Sequence, residues 1–178
     1  MMKISKLFIL CILAVATISC SSDDDNNPPP YTLSTTNFVD TYKLKFLEIR
    51  EVETITFSNG TTSTSSAVTV GSVFQNVNFV FNSNNTYTAN GLFNTVTTVT
   101  NPDGSTTVGD TVIVSLDETG TYTLNVGNST LTVTDSDGEV TALEISDYTE
   151  TSMTLYAEET TVSNNSTIVT SVEYRFSR

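Results

Sequence analysis

The 178-residue chain has no histidine and no tryptophan, only two cysteines, and seven lysines and arginines against 20 aspartates and glutamates. Each shortage closes off some chemistry. Without histidine there is no Ser–His or Cys–His pair to activate a nucleophile, and no imidazole to ligate a metal. Cys11 lies in an apolar leader, so the chain beyond residue 19 keeps Cys20 alone and can close no internal disulfide. The formal charge of −13 becomes two units more negative once Lys3 and Lys6 leave with that leader. Such a surface repels phosphates, so no nucleic-acid partner is expected, and solubility is the ordinary reason for the acidity. Paired carboxylates could still act as acid and base, but the acids read as turn or outward strand positions. No catalytic residue and no cofactor are therefore expected. The apolar run from Leu7 to Ala16 is too short to cross a bilayer as a permanent helix.

What is present begins with an ordered N-terminus. Lys3 and Lys6 precede the apolar run, and small residues follow it, which is the charge order of a secretory signal. Next comes "TISC", ending at Cys20, then Ser21, Ser22, Asp23, Asp24 and Asp25, and then Pro28, Pro29 and Pro30. "TISC" resembles the lipobox of bacterial lipoproteins, in which the cysteine is acylated and becomes the new N-terminus; Thr17 stands where that family favours leucine. "CSSDDD" resembles the serine-plus-acid signal by which Bacteroidota lipoproteins reach the outer face of the outer membrane. The resemblance implies a lipid-anchored, surface-exposed protein whose membrane contact runs through acyl groups, palmitate among them, on Cys20. Each buried methylene contributes about 0.8 kcal/mol, so several chains on one residue make a lasting anchor. The prolines favour an extended spacer of about 3.1 Å per residue. The expected organisation is a signal peptide over 1–19, an acidic, Pro-rich linker without fixed structure over 20–37, and one domain over 38–178.

That domain reads as strand throughout. Apolar residues alternate at Tyr42, Leu44 and Phe46, at Val77, Phe79 and Phe81, and at Tyr122, Leu124 and Val126. The pattern recurs at Leu131 and Val133, Leu143 and Ile145, and Met153 and Leu155. The last run carries Ile168, Thr170, Val172, Tyr174 and Phe176 on one side. The first run slips phase at Leu47 and Ile49, which predicts a bulge. A short helical turn is expected near Thr36–Asp40. Turns are expected at 82–85, 101–104, 117–120, 126–129, 135–138 and 163–165, where Gly, Asn and Asp supply positive φ. Two polar segments, 59–68 and 161–167, read as loops. Short hairpins make sequence neighbours antiparallel neighbours, so about eight to ten strands should form an all-β, up-and-down barrel or a sandwich.

Several hairpins carry a resemblance to the lipocalin-like lipoproteins of Bacteroidota: "VDTYKL" (39–44), "FVFNSNNTYTANG" (79–91), "GTYTLNVGNSTLTV" (120–133) and "LEISDYTETSMTLYAE" (143–158). The order of these motifs covers residues 38–178 and implies a lipocalin-like barrel, with Tyr42 where the family usually has tryptophan. It further implies a small hydrophobic or amphipathic ligand held in the interior by Tyr42, Phe46, Phe79, Phe81, Tyr87, Tyr122, Thr170 and Tyr174. An eight-stranded barrel is either filled by side chains or holds one small ligand, and inward apolar residues serve both. The alternative is therefore an interaction module with a filled barrel that presents its loops. The sequence leaves oligomeric state open, with a monomer expected. "DSDGE" (Asp135, Asp137, Glu139) resembles a fragment of a calcium loop, but an Asp-Gly hairpin explains it and no metal is expected.

Overall fold

A computed structural model describes residues 31–178. The leader, Cys20, the tag of Ser21, Ser22, Asp23, Asp24 and Asp25, and the three prolines lie outside the described residues. A short helix, α1 (Thr35–Phe38), precedes nine strands: β1 (Thr41–Thr56), β2 (Thr62–Phe81), β3 (Thr86–Thr100), β4 (Thr106–Val108), β5 (Val112–Asn125), β6 (Thr130–Asp135), β7 (Val140–Ser146), β8 (Ser152–Ser163) and β9 (Ser166–Ser177). Eight of them close a ring in the order β1–β2–β3–β5–β6–β7–β8–β9, with β9 returning to β1 and β4 added at the end of β3. All pairings are antiparallel. Of the two architectures the hairpin pattern allows, barrel or sandwich, this is the closed antiparallel barrel.

The ring closes over only part of the strand length. The β3–β5 ladder stops at Thr95 and Val112, while β2–β3 continues to Ser66 and Thr100. Likewise β7 meets β8 only over Glu144–Ser146, while β8–β9 runs on to Ser163 and Ser166. Beyond the barrel the long strands β8, β9, β1, β2 and β3, with β4, therefore form an open sheet. Its edges are guarded by the brevity of β4 and by Glu158 and Glu159 on β8, which discourage pairing with another chain. Segment 59–68, expected as a loop, belongs mostly to this sheet: the β1–β2 turn is tight at Gly60, and the strand resumes at Thr62. In a two-sided, solvent-washed sheet Ser and Thr can fill both faces, so no apolar alternation marks the strand. The 161–167 segment corrects the same way, with β8 and β9 meeting at a turn of Asn164 and Asn165.

The core holds Phe38, Tyr42, Leu44, Leu47, Val77, Phe81, Tyr87, Phe93, Tyr122, Leu131, Leu143, Ile145, Met153, Leu155 and Phe176. Phe46 is the exception to the expected inward set. The bulge in β1 falls between Leu44 and Phe46, one step earlier than the phase slip suggests, so Leu47 turns inward and Phe46 outward. There the Phe46 ring lies under the Arg175 guanidinium, 4.3 Å from its centroid. A second irregularity, in β2 between Ser72 and Asn78, places Val73 and Asn76 at φ of 51° and 50°. Gly91 on β3 meets it: at φ 137°, a Cβ there would lie 2.6 Å from the Val77 Cα.

The pole opposite the open sheet is sealed. Phe38 of α1 is fully buried, 4.7 Å from the Phe81 ring centroid and 5.7 Å from that of Tyr122. Ser34 caps the helix by accepting from the Asn37 amide. Tyr31 stacks on Tyr148 with centroids 5.6 Å apart. The linker expected over 20–37 therefore corrects at its C-terminal end: residues 31–37 pack on the barrel, because Tyr31 meets Tyr148 and Arg178 there and the Asn37 carbonyl accepts from Arg178.

Candidate functional site

Inside the ring, between β2–β3 and β5–β9, lies a cavity of about 150 Å³ that opens towards the sheet end. Strand alternation builds it. The pairs Phe79 with Tyr42, Phe81 with Tyr87, Leu131 with Leu143, and Leu155 with Tyr174 each put both side chains on the inner face. Its floor is Phe81, Leu131 and Phe176, its walls are Phe79, Leu143, Leu155, Val172 and Tyr174, and its mouth carries Glu118, Asp135, Glu139 and Thr141. A void of this size admits a benzene-sized group. The opposite half of the interior is occupied by Leu47, Phe74, Val77 and Phe93, with the Phe74 and Phe93 ring centroids 5.8 Å apart. A larger cleft of about 530 Å³ lies outside the barrel beside α1, lined by Thr35, Thr36, Ser83 and Asn85 among others.

The expected interior residues divide accordingly. Phe79, Phe81, Tyr87 and Tyr174 line the cavity. Tyr42 and Tyr122 point inward but at the sealed pole, away from it. Tyr122 donates to the Asn82 carbonyl at 2.8 Å, and Tyr42 donates to the Phe38 carbonyl at 3.1 Å. Thr170 shares the inner face with Glu51 and Glu159, but in the open sheet past the mouth. Phe46 is outside altogether.

The mouth corrects the expectation that acids face outward. Glu118 pairs with fully buried Ala89, which fixes its side chain on the inner face of β5. Segment 117–120 is not a turn but the middle of β5, and Gly120 explains its composition. A Cβ at Gly120 would lie 2.1 Å from the Thr134 carbonyl oxygen and 2.7 Å from the Tyr87 ring. The glycine lets Tyr87 lie flat against the wall. The turn after β6 is the expected Asp-Gly hairpin: Asp135 Oδ1 accepts from the amides of Asp137 and Glu139, both at 2.9 Å. Among the described residues no group of three carboxylates converges as a metal ion requires.

Electrostatics follow from this placement. Burial pushes the Tyr174 phenol above its ordinary pKa, and the Glu118 carboxylate adds to the shift. Tyr87 moves the same way, first through burial, then through Glu118 and Asp135. Both phenols stay protonated and can donate a hydrogen bond into the cavity.

The sealed pole holds a second constellation, which sequence reasoning missed. Arg178 follows β9 and inserts among three tyrosines: its Nη atoms donate to the hydroxyls of Tyr31 (2.6 Å), Tyr42 (2.5 Å) and Tyr148 (2.5 Å), and to the Asn37 carbonyl (2.7 Å). Asp40 Oδ2 stands 3.5 Å from Nε. Burial works against the guanidinium charge, but the bonds it donates to Tyr42 and Tyr31 outweigh this and raise the arginine pKa further. No local signal in the sequence marks Arg178 for this role. The chemistry is that of a structural plug.

No family model matches the chain, and no curated protein or solved structure matches it significantly.

Proposed function

We propose that the protein is a non-catalytic binding module that takes up a small apolar or amphipathic molecule in its barrel. The observation that carries this reading is the cavity of about 150 Å³, apolar in its depth, with two protonated phenols on its wall. Binding sites of this kind are mostly apolar with a few polar groups that fix orientation. In this reading Cys20 is acylated, the module is held on the outer membrane, and Asp23, Asp24 and Asp25 direct it to the exterior.

A hydrophobic fluorescent probe should bind the protein at one saturable site. Leu155→Trp, which fills the cavity, should abolish that binding, and Phe79→Ala should change it. Tyr156→Ala should not, because Tyr156 lies on the outer face with its hydroxyl 2.7 Å from Glu158. Saturable binding that survives Leu155→Trp would sink the reading. Anchoring is tested separately: Cys20→Ala should move the protein from the membrane to the soluble fraction or leave the leader unprocessed.

A second reading rests on the filled half of the interior and on the open sheet beyond it. These suit a module that docks a protein or glycan partner. A folded protein that binds no probe would favour it.

A further inference from the structure

We propose that the cavity selects a cationic amphipath, a molecule with a ring or short alkyl body and a single ammonium-type head. The inference rests on the reading that the cavity is the binding site, and it adds the charge of the ligand.

The argument starts from where the charges are. The apolar depth of Leu131, Leu143 and Leu155 gives way at the mouth to Glu118, Asp135 and Glu139, and among the described residues no lysine or arginine lines the cavity. The arginines are committed elsewhere. Arg50 pairs with Glu48, Arg175 with Glu173, and Arg178 with Asp40. Lys43 lies on an outward ladder position of β1, between Asn78 and Ser177, and Lys45 is exposed at the bulge. Among the described residues the carboxylates at the mouth therefore face no cation.

Two consequences follow for a ligand. A cavity with low-dielectric walls and one sign of charge at its rim concentrates the opposite sign there. A fatty acid would have to seat its carboxylate among like charges, whereas an amine of the same length would meet carboxylates that have no other cationic partner. The depth accepts the apolar body in either case, so the head decides. Tyr174 and Tyr87 sit between body and head, and their electron-rich ring faces favour a cation in the same position.

The test uses the full chain carrying Cys20→Ala, so that neither acyl chain nor detergent competes. Calorimetric titration with n-octylammonium, n-octanol and n-octanoate separates head from body. The expected order is ammonium tightest, by on the order of tenfold over the alcohol, with the carboxylate weakest. Raising salt should shrink the gap between ammonium and alcohol. Glu118→Gln with Glu139→Gln should remove the ammonium preference, so that ammonium and alcohol bind alike within that variant. Asp135 is left intact because it caps its own hairpin. Alcohol binding without an ammonium advantage overturns the charge selection while the cavity remains a binding site. An ammonium advantage that survives the double substitution also overturns it. Absence of all binding overturns both readings.

Discussion

Arg178 holds its guanidinium 4.8 Å over the ring of Tyr42 and donates to that same hydroxyl, so one side chain uses both the face and the edge of the other. The same group lies 5.1 Å from the ring centroids of Tyr31 and Tyr148. Hydrogen bonds to a charged group and a desolvated cation–π contact together suggest that Arg178→Ala costs about 2–3 kcal/mol. Denaturant titration should show this as a lower midpoint. Arg178→Lys should recover less than half, because a single ammonium lacks the planar fork that reaches Tyr31 and Tyr148 at once.

Stability should fall in alkali. Burial raises the pKa of Tyr42, Tyr87, Tyr122, Tyr148 and Tyr174. A phenol whose folded value exceeds its unfolded value of about 10 binds its proton more tightly when folded. Its contribution is therefore complete below about pH 10 and drains away as the pH rises through the folded value. Melting temperature should hold level up to about pH 10 and drop above it. Tyrosinate absorbance should appear late, together with unfolding. Early ionisation of all the tyrosines, with the fold intact, would contradict the burial.

Gly120→Ala tests close approach. The added methyl meets the Thr134 carbonyl oxygen and the Tyr87 ring. Overpacking of this kind costs about 1–3 kcal/mol, and it should weaken probe binding because Tyr87 must move. Gly127→Ala is the control, since its nearest neighbour is Asn125 Oδ1 at an ordinary 3.5 Å. It should be close to neutral in the same denaturation assay.

Val73→Asn should stabilise. Val73 is a β-branched residue at φ 51°, and it is 59% exposed, so it gives up little packing. The left-handed region costs an L-residue about 1–2 kcal/mol, and asparagine tolerates it best after glycine. A gain of about 1 kcal/mol corresponds to roughly 2–4 °C in melting temperature for a chain of this size. Scanning calorimetry of the variant beside the parent reads it directly. An unchanged or lower midpoint would mean that the valine side chain supports the bulge.

The sequence shows the barrel wherever one face of a strand is buried and the other wet. Tyr122, Leu131, Leu143, Ile145, Met153, Leu155 and Phe176 alternate cleanly and are all core. The pattern fails where that asymmetry ends. In β2 from Thr62, both faces meet solvent and threonine suits either. At 117–120, Asp, Glu, Thr and Gly have the composition of a turn, yet the glycine serves a close contact with a neighbouring strand that only the tertiary structure brings near. Phe46 misleads because a bulge can be inferred from a phase slip but not placed within a residue or two. The mouth was hidden for a related reason: Glu118 faces inward only because β5 runs unbroken through Gly120. Arg178 carries no local signal, since its partners are 30, 136 and 147 residues away in the chain.

Tyr31 enters the described structure at the sealed pole, pinned against Tyr148 and Arg178. The cavity opens at the other end. A tether acting through residue 31 would thus fix the compass of the molecule as well as its address. Such a stem would hold the molecule by its south pole and turn the mouth north into the surrounding medium. A tug on that stem would strain the aromatic clasp before any strand of the barrel bears load.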